Sequence, residues 1–181
     1  MKPARLLRLA ISPALLAVAS VSPAQLGAAA PSSGHEKVFL GYVHRMPEGI
    51  RYEMYTHLCH AFVTADEQGN LKPNKQVPNR AFVEAAHAAN VKVLLSLGGW
   101  GWDEQFAAIV ADPAAEARYV DAVMRLVDGF DYDGLDLDWE YPDTAEEVTG
   151  FNRLAHTLRT RLDEIGRRKQ RPMRAARSAR A

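Results

Sequence analysis

Apolar and polar positions follow two patterns along the chain, one with the period of a strand and one with that of a helix. Apolar runs of strand length cover residues 37–43, 56–63, 91–97 and 133–140. Between and after the last three runs, apolar residues recur at every third or fourth position, as on one face of a helix. Strands that alternate with helices predict an α/β fold with a parallel sheet and right-handed crossovers. An open sheet and a (β/α)8 barrel both fit this order.

Capping residues predict where several of these elements begin and end. Asn79 is a helix N-cap, and Asp112 followed by proline begins another helix. Thr144 starts a capping box for the last helix, which Gly166 is expected to end. Residues 64–79 are polar and contain a glycine and two prolines, so they predict a long loop.

The first 30 residues predict a secretory signal peptide. Lys2, Arg5 and Arg8 supply the basic start, and an apolar stretch from Leu9 to Val21 follows. A transmembrane anchor is the less favoured interpretation because it needs about 20 apolar residues. We therefore expect a secreted protein, extracellular or periplasmic, with no membrane contact after the signal is cleaved.

The formal net charge of zero conceals an uneven distribution. Ten of the 22 basic residues lie in residues 1–30 and 167–181, which contain no acidic residue. The body between them therefore carries a net charge of about −10, which argues against nucleic acid as a partner. Residues 167–181 lack an apolar run and predict a basic, disordered tail rather than a fifth strand. The other hypothesis is that the reading frame is truncated or shifted near residue 167.

Cys59 is the only cysteine, so no internal disulfide is possible. It lies in an apolar run, where a free cysteine usually behaves as a small buried hydrophobe, and we expect no catalytic role for it. His57 and His60 fall on opposite faces of the same strand. Each is expected to be structural or to lie at a rim rather than to bind a ligand.

The stretch from Asp133 to Pro142, DGLDLDWEYP, concentrates the candidate chemistry. With the period of a strand, Asp136, Asp138 and Glu140 point to one face and large apolar residues to the other. Such close carboxylates repel each other and lose solvation when buried, so packing alone does not account for them. They indicate acid–base chemistry with shared protons. A solvated strand face or a metal site are the alternatives, but the spacing lacks the order of a calcium loop, and we expect no cofactor.

This stretch resembles the Asp-Gly-x-Asp-x-Asp-x-Glu signature of glycoside hydrolase family 18, the chitinase family. The Gly-Tyr pair ending at Tyr42 is similar to the family's first-strand motif. The Ser-Leu-Gly-Gly-Trp stretch at 96–100 is similar to its Ser-x-Gly-Gly on the third strand. The resemblance implies a (β/α)8 TIM-barrel type of fold, which typically takes about 250 residues. Residues 31–166 would then be the N-terminal half of the catalytic domain, truncated to about the first four βα units.

The resemblance further implies a chitinase-like hydrolase that cleaves β-1,4-linked N-acetylglucosamine polymers by a retaining, substrate-assisted mechanism. Glu140 matches the general acid, a task that requires a carboxyl proton near neutral pH. Asp138 matches the residue that orients the substrate's acetamide, and Asp136 matches its buried proton-sharing partner.

The family pattern also implies residues that bind the substrate, chitin or a chito-oligosaccharide: Tyr141, Trp100, Tyr42 and Ser96. Aromatic faces stack on pyranose rings, although simple packing is the alternative for each aromatic residue. We assign Trp102 to the rim of the site and Trp139 to packing. A truncated, non-catalytic chitin-binding or remnant protein of the same fold is the alternative function. The sequence does not indicate an oligomeric state.

Overall fold

A computed structural model describes residues 37–178, whose strands form one sheet of six members. The strands are β1 (Leu40–Val43), β2 (His57–Ala65), β3 (Leu71–Lys72), β4 (Lys92–Gly98), β5 (Gly134–Asp138) and β6 (Arg174–Ser178). Their spatial order is β1-β2-β4-β5-β6, and all these neighbours pair in parallel. The short β3 pairs antiparallel with the end of β2. The predicted parallel α/β order is confirmed.

Four α-helices connect the strands. They are α1 (Arg80–Ala88), α2 (Asp103–Ala111), α3 (Pro113–Gly129) and α4 (Ala145–Lys169), and a short 3-10 helix covers Tyr52–Met54. The predicted caps are present, because Asn79 accepts from the Phe82 amide and Asp112 accepts from the Ala114 amide. Thr144 closes the capping box at the start of α4. These side chains satisfy backbone amides that the first helical turn leaves unpaired.

The hydrophobic core lies between the helices and one face of the sheet. It includes alternate residues of the central strands: Leu58, Val93, Leu95, Leu97, Leu135 and Leu137. Because successive side chains of a strand point to opposite faces, Cys59, Ser96 and Asp136 lie on the other face. We call this other face, which corresponds to the interior of a barrel, the inner face.

Each new parallel strand is added beside the preceding one, with helices crossing between them. This is the winding of a (β/α) barrel, and the described residues form an arc of it. β1 and β6 are the outer strands of the arc, so each has one edge without a strand partner among residues 37–178. The winding brings the C-terminal ends of all parallel strands to one end of the arc, where such folds carry their sites.

The prediction of a disordered tail is wrong for residues 167–178. α4 continues past Gly166 to Lys169, and β6 pairs with β5 over five residue pairs. The composition was misleading because backbone groups make the hydrogen bonds between strands. A strand at the edge of a sheet can therefore form with small alanine side chains. The Arg174 amide donates to the Asp133 carbonyl at 2.8 Å, which starts the pairing.

Three basic residues of this segment are paired with acidic residues. Lys169 Nζ and Arg171 Nη2 each lie 2.8 Å from Asp131 Oδ1. Arg168 Nη2 lies 2.6 Å from Asp128 Oδ2. These contacts join the end of α4 and the residues that follow it to the last turn of α3 and to the turn that precedes β5.

The predicted loop over 64–79 contains a short hairpin. β2 extends to Ala65, and β3 folds back on it. The Asp66 carboxylate accepts from the amides of Gln68 and Asn70 at 3.2 and 2.9 Å, which forms the turn. A strand of two residues is too short to show a hydrophobic period, so this polar stretch gave no indication of it.

The predicted signal peptide lies outside the described residues. Within residues 37–178, every helix is too short or too polar to cross a lipid bilayer.

Candidate active site

Two of the three predicted catalytic carboxylates lie on the inner face of β5. Asp136 and Asp138 are 1% and 5% exposed, and they alternate with Leu135 and Leu137, which pack in the helix-side core. β5 ends at Asp138, and Glu140 follows in the segment after the strand, where it is half-buried. The predicted alternation of faces therefore holds for the two aspartates, while Glu140 lies just beyond the C-terminal end of the strand.

Two hydroxyl groups bind the same oxygen of Asp136. The Tyr42 hydroxyl donates to Asp136 Oδ2 at 2.9 Å, and Ser96 Oγ donates to it at 2.7 Å. β1, β4 and β5 each contribute one of these residues, so the fold brings together three predicted site residues that are far apart in sequence. Hydrogen bonds to an ionised acceptor are stronger than neutral ones, and they fix the orientation of the carboxylate.

The electrostatic surroundings keep Tyr42 protonated. Burial raises the pKa of its hydroxyl far above the usual value, and the negative charge of Asp136 and the hydrogen bond to it act in the same direction. Tyr42 therefore acts as a hydrogen-bond donor over the whole pH range in which proteins are ordinarily studied.

The two glycines after Ser96 allow the end of β4 to lie against the backbone of Asp138. Gly98 has a φ of +97°, and a Cβ there would lie 2.4 Å from Phe106 and 2.6 Å from the Asp138 carbonyl oxygen. The Gly99 amide donates to the same carbonyl at 2.8 Å. The Ser-x-Gly-Gly motif thus supplies a side-chain donor to Asp136 and a close backbone contact for Asp138.

Asp103, in the first turn of α2, is a neighbour of Glu140 that the sequence analysis did not select. Burial raises the pKa of its carboxyl, and the negative charges of Asp143, Glu140 and Glu147 raise it further. The side of the site that carries Glu140 is therefore acidic. The sequence contained one indication of Asp103, an acidic residue in the first turn of the helix that follows the Gly-Gly-Trp turn. Acidic residues are common in first turns because they complement the helix dipole, so this indication was not specific.

The predicted aromatic residues differ in exposure. Trp100 is 81% exposed directly after β4, and Tyr42 is 49% exposed at β1, so both rings present area to solvent. Tyr141 is half-buried beside Glu140. Trp139 is fully buried and stacks on Phe106 with ring centres 5.1 Å apart, which confirms its assignment to packing.

Trp102 is half-buried and packs against the helix-side core, so it has a larger packing role than its assignment to the rim implied. It precedes α2, whose residue Phe106 belongs to the same core. The large aromatic ring therefore holds the start of α2, and with it Asp103, against the sheet.

Asp133, the first acid of the motif, lies at the opposite end of β5. It accepts from His87 Nε2 at 2.7 Å and from the Val93 amide at 2.9 Å, and Lys92 Nζ lies 3.5 Å away. The carboxylate is buried and ionically paired at the N-terminal end of the strands. In barrels, residues at this end serve stability rather than chemistry.

His60 is structural, as expected. Its Nδ1 lies 2.8 Å from the Tyr132 hydroxyl, and its ring packs on Phe82 with centres 4.5 Å apart. Burial lowers its pKa to about 4, so the imidazole is neutral at ordinary pH. No group of three His, Cys, Asp or Glu residues within 37–178 is arranged to hold a metal ion.

A groove of about 380 Å³ lies on the helix side of the sheet, away from these carboxylates. Leu135 and Leu137 of β5 line it together with Leu158 and Leu162 of α4 and Ala176 of β6. Its position behind β5 separates it from the acid–base groups. The inner face is therefore the candidate active site.

Comparison with known proteins assigns this arrangement to a family. A family model for glycosyl hydrolases family 18 matches residues 33–180, which includes the basic stretch at the end. A chitinase-like effector of Moniliophthora roreri is 33% identical over 107 residues, which are 58% of this chain and 26% of that protein. A class V chitinase of Arabidopsis thaliana is 33% identical over 117 residues, which are 61% of this chain and 31% of that protein.

A solved structure agrees with this relationship. The crystal structure of a mutant class V chitinase from Nicotiana tobaccum in complex with NAG4 superposes with a TM-score of 0.69 and 27% identity. The match covers 78% of this chain and 44% of that one. The chain thus spans less than half the length of each of these relatives. Its match to the family model, which extends over most of its length, identifies it as a member of glycosyl hydrolase family 18.

Proposed function

We propose that this chain carries the catalytic strand of a chitinase-like glycoside hydrolase that cleaves β-1,4-linked N-acetylglucosamine polymers. One observation carries the proposal: Asp136 is held by donors from two other strands, and Asp138 and Glu140 follow it at the open end of β5. Two ordered, buried carboxylates leading to a more exposed one suit a reaction that stores and transfers protons.

Glu140 is the proposed general acid. It donates its proton to the glycosidic oxygen while the bond from that oxygen to C1 breaks. The oxygen of the substrate's own acetamide forms the new bond to C1, because this family does not use a second enzyme carboxylate as nucleophile. Water then attacks C1, its proton passes to Glu140, and the acetamide oxygen leaves. Two displacements at C1 retain its configuration.

Asp138 and Asp136 are the proposed partners of the acetamide. Asp138 accepts a hydrogen bond from the acetamide N–H and so offsets the positive charge that develops as the ring of the intermediate closes. Asp136 exchanges a proton with Asp138 during the cycle. The donors Tyr42 and Ser96 support this role because they hold Asp136 in one orientation.

Trp100, Tyr141 and Tyr42 are proposed to contact the sugar rings. The exposure of Trp100 supports this role, since a ring that is four-fifths accessible has area left for a pyranose to cover. The oligosaccharide NAG4 bound to the tobacco chitinase supports the same substrate class for this chain.

A non-catalytic protein that binds chitin is the second candidate. The sheet of residues 37–178 favours it, because its outer strands β1 and β6 each have an edge without a strand partner there. The name of the relative from Moniliophthora roreri, a chitinase-like effector, is compatible with such a role. The presence of Glu140 favours the enzyme, since a binding protein has no need of the acid.

An activity assay separates the two candidates. The purified chain is incubated with a fluorogenic chitobioside, beside Glu140→Gln and the control Glu84→Gln, which alters an exposed glutamate of α1. We expect release of the fluorophore by the wild type and by Glu84→Gln, and none by Glu140→Gln. An inactive, folded wild type that is retained on chitin beads would instead support the binding protein.

We also propose that the protein is secreted. The basic and apolar start of the sequence supports export, and chitin is an extracellular polymer. Mass spectrometry of the exported protein would find an N-terminus between residues 24 and 31. An N-terminus at Met1 on the mature protein contradicts the proposal.

A further inference from the structure

Three rings lie together at the β1 side of the arc. The ring centres of Tyr42 and Phe62 are 6.3 Å apart, and those of His44 and Phe62 are 5.7 Å apart. The proposed function gives a role to Tyr42 alone among the three. We call Tyr42, His44 and Phe62 the aromatic cluster.

His44 lies at the mouth of the inner face. β1 ends at Val43, whose side chain is buried in the helix-side core, and His44 is the next residue. Its ring contact with Phe62 places it on the same side of the sheet as Tyr42. The residue is exposed at the C-terminal end of the strand, which is the end where barrel folds carry their sites.

Phe62 belongs to the inner face and not to the core. Its neighbour Val63 is buried in the helix-side core, whereas Phe62 is half-buried and lies outside that core. A Cβ at Gly99 would lie 3.0 Å from the Phe62 ring, so the second glycine of the Ser-x-Gly-Gly motif makes room for this ring. Phe62 therefore links His44 to the turn that carries Trp100.

The chemistry of the cluster suits a sugar. A pyranose has apolar C–H faces and hydroxyl groups around its edge, and aromatic faces bury such apolar area. Phe62 offers an apolar ring, and the imidazole of His44 adds a flat ring whose N–H can donate to a hydroxyl group. All three residues lie outside the hydrophobic core of residues 37–178, so core packing does not account for their proximity.

His44 and Glu140 follow different strands of the arc. β1 and β5 are three positions apart in the sheet. Neighbouring strands lie about 4.8 Å apart, so this separation is roughly 14 Å along the sheet, more than one pyranose ring spans. Because both residues lie at the C-terminal end of parallel strands, a chain of several sugar units can contact both.

We propose that His44 and Phe62 form a distal subsite, which binds one sugar unit of a chito-oligosaccharide while another unit lies at Asp138 and Glu140. The proposal rests on the proposed function for the identity of the ligand. The imidazole of His44 stacks on the face of the distal unit. Contacts away from the reacting bond add affinity, so the subsite makes the protein select chitotetraose over chitobiose.

Calorimetric titration measures the subsite without turnover. Chitotetraose and chitobiose are titrated into Glu140→Gln, which lacks the proposed acid, and into the same protein with His44→Ala added. We expect the second change to weaken chitotetraose binding about five-fold, in line with the loss of one ring contact, and to leave chitobiose binding unchanged. Equal affinities for chitotetraose, or an equal loss for both sugars, would overturn the distal subsite.

Two further variants of Glu140→Gln separate stacking from other effects. Adding His44→Phe retains a flat ring and should keep most of the affinity for chitotetraose. A loss as large as that of His44→Ala would contradict the stacking. Adding His156→Ala, which alters an exposed histidine of α4, should change neither affinity. If it weakens chitotetraose binding as much as His44→Ala, the effect is not specific to the cluster and the proposal is overturned.

NMR gives a second measurement on Glu140→Gln. The imidazole signals of His44 are identified by their absence from the variant with His44→Ala. We expect them to move when chitotetraose is added, while the signals of His156 stay in place. Signals of His44 that do not respond to bound chitotetraose would overturn the proposal.

The outcomes separate this proposal from the proposed function. If the wild type hydrolyses the fluorogenic chitobioside but chitotetraose binding does not depend on His44, the subsite is overturned and the proposed function stands. If the wild type is inactive but chitotetraose binding falls about five-fold without His44, the subsite stands and the proposed hydrolysis is contradicted. A protein that binds no chitotetraose contradicts the subsite, whatever its turnover.

Discussion

The buried His60 should make the stability of the fold depend on pH. Its side chain is 1% exposed, and burial lowers its pKa to about 4 from an ordinary value of about 6.5. The neutral imidazole is therefore favoured in the folded state, while the unfolded chain gains a proton as soon as the pH falls below about 6.5. The contribution of His60 to stability is complete above that pH and is lost progressively down to about pH 4.

The magnitude follows from the difference between the two pKa values. One pKa unit corresponds to about 1.4 kcal/mol, so the unfolding free energy should lose about 3 kcal/mol between pH 7 and pH 4 through this residue. No reduction for solvent screening applies, since the imidazole is almost completely buried. A loss of this size is a large part of the stability of a small domain.

Urea unfolding at several pH values tests this prediction. The variant His60→Gln has no titrating group at this position, so its stability should fall by about 3 kcal/mol less than that of the wild type between pH 7 and pH 4. His156→Gln, which replaces an exposed histidine of α4, should follow the wild type. Carboxylates titrate in all three proteins, so their effect cancels in the differences.

Parallel losses of stability by wild type and His60→Gln over this pH range would contradict a lowered pKa of His60 in the folded state. Should His60→Gln fail to fold, NMR of the wild type provides the same answer. The imidazole signals of His60 should then stay in their neutral positions down to about pH 5.

Three further changes test the site and the fold. Ser96→Ala removes one of the two hydroxyl donors of Asp136 and should lower kcat on chitobioside roughly ten-fold or more, with little change in KM; an unchanged kcat would contradict the role of this bond. Gly98→Ala should lower the unfolding free energy by about 3 kcal/mol, because its Cβ would lie 2.4 Å from Phe106 at a φ of +97°. In Gly101→Ala the φ is +83° but no atom lies within 4 Å, so urea unfolding should give a loss of only about 1 kcal/mol. Amide hydrogen exchange should be slow at the β6 amides that pair with β5. Immediate exchange there would instead support the prediction of a disordered tail.

Much of the fold was predictable because it depends on local patterns. Helix caps are formed by residues three or four positions apart, so Asn79, Asp112 and Thr144 could be identified from the sequence. The alternation of Leu135 and Leu137 with Asp136 and Asp138 likewise fixes which side chains share a face of β5. These patterns also led to the parallel order of the strands.

The end of the chain shows where composition misleads. Residues 167–181 are basic and lack an apolar run, yet β6 forms because β5 offers it a free edge and acidic partners such as Asp131 lie nearby. A strand that is stabilised by its neighbour carries little signal of its own. The pairing partner is about 40 residues away, so no local pattern predicts it.

The carboxylate strand by itself determined the candidate chemistry of this protein. Three acids at alternate positions, with apolar residues between them, indicate acid–base catalysis in any fold that buries the strand. Only the tertiary structure decided how that strand is held. Tyr42 and Ser96 come from two other strands, and they bind Asp136 because parallel strands place their inner faces side by side. Sequence spacing gives the period of one strand, whereas the neighbours of a buried charge depend on which strands lie next to it.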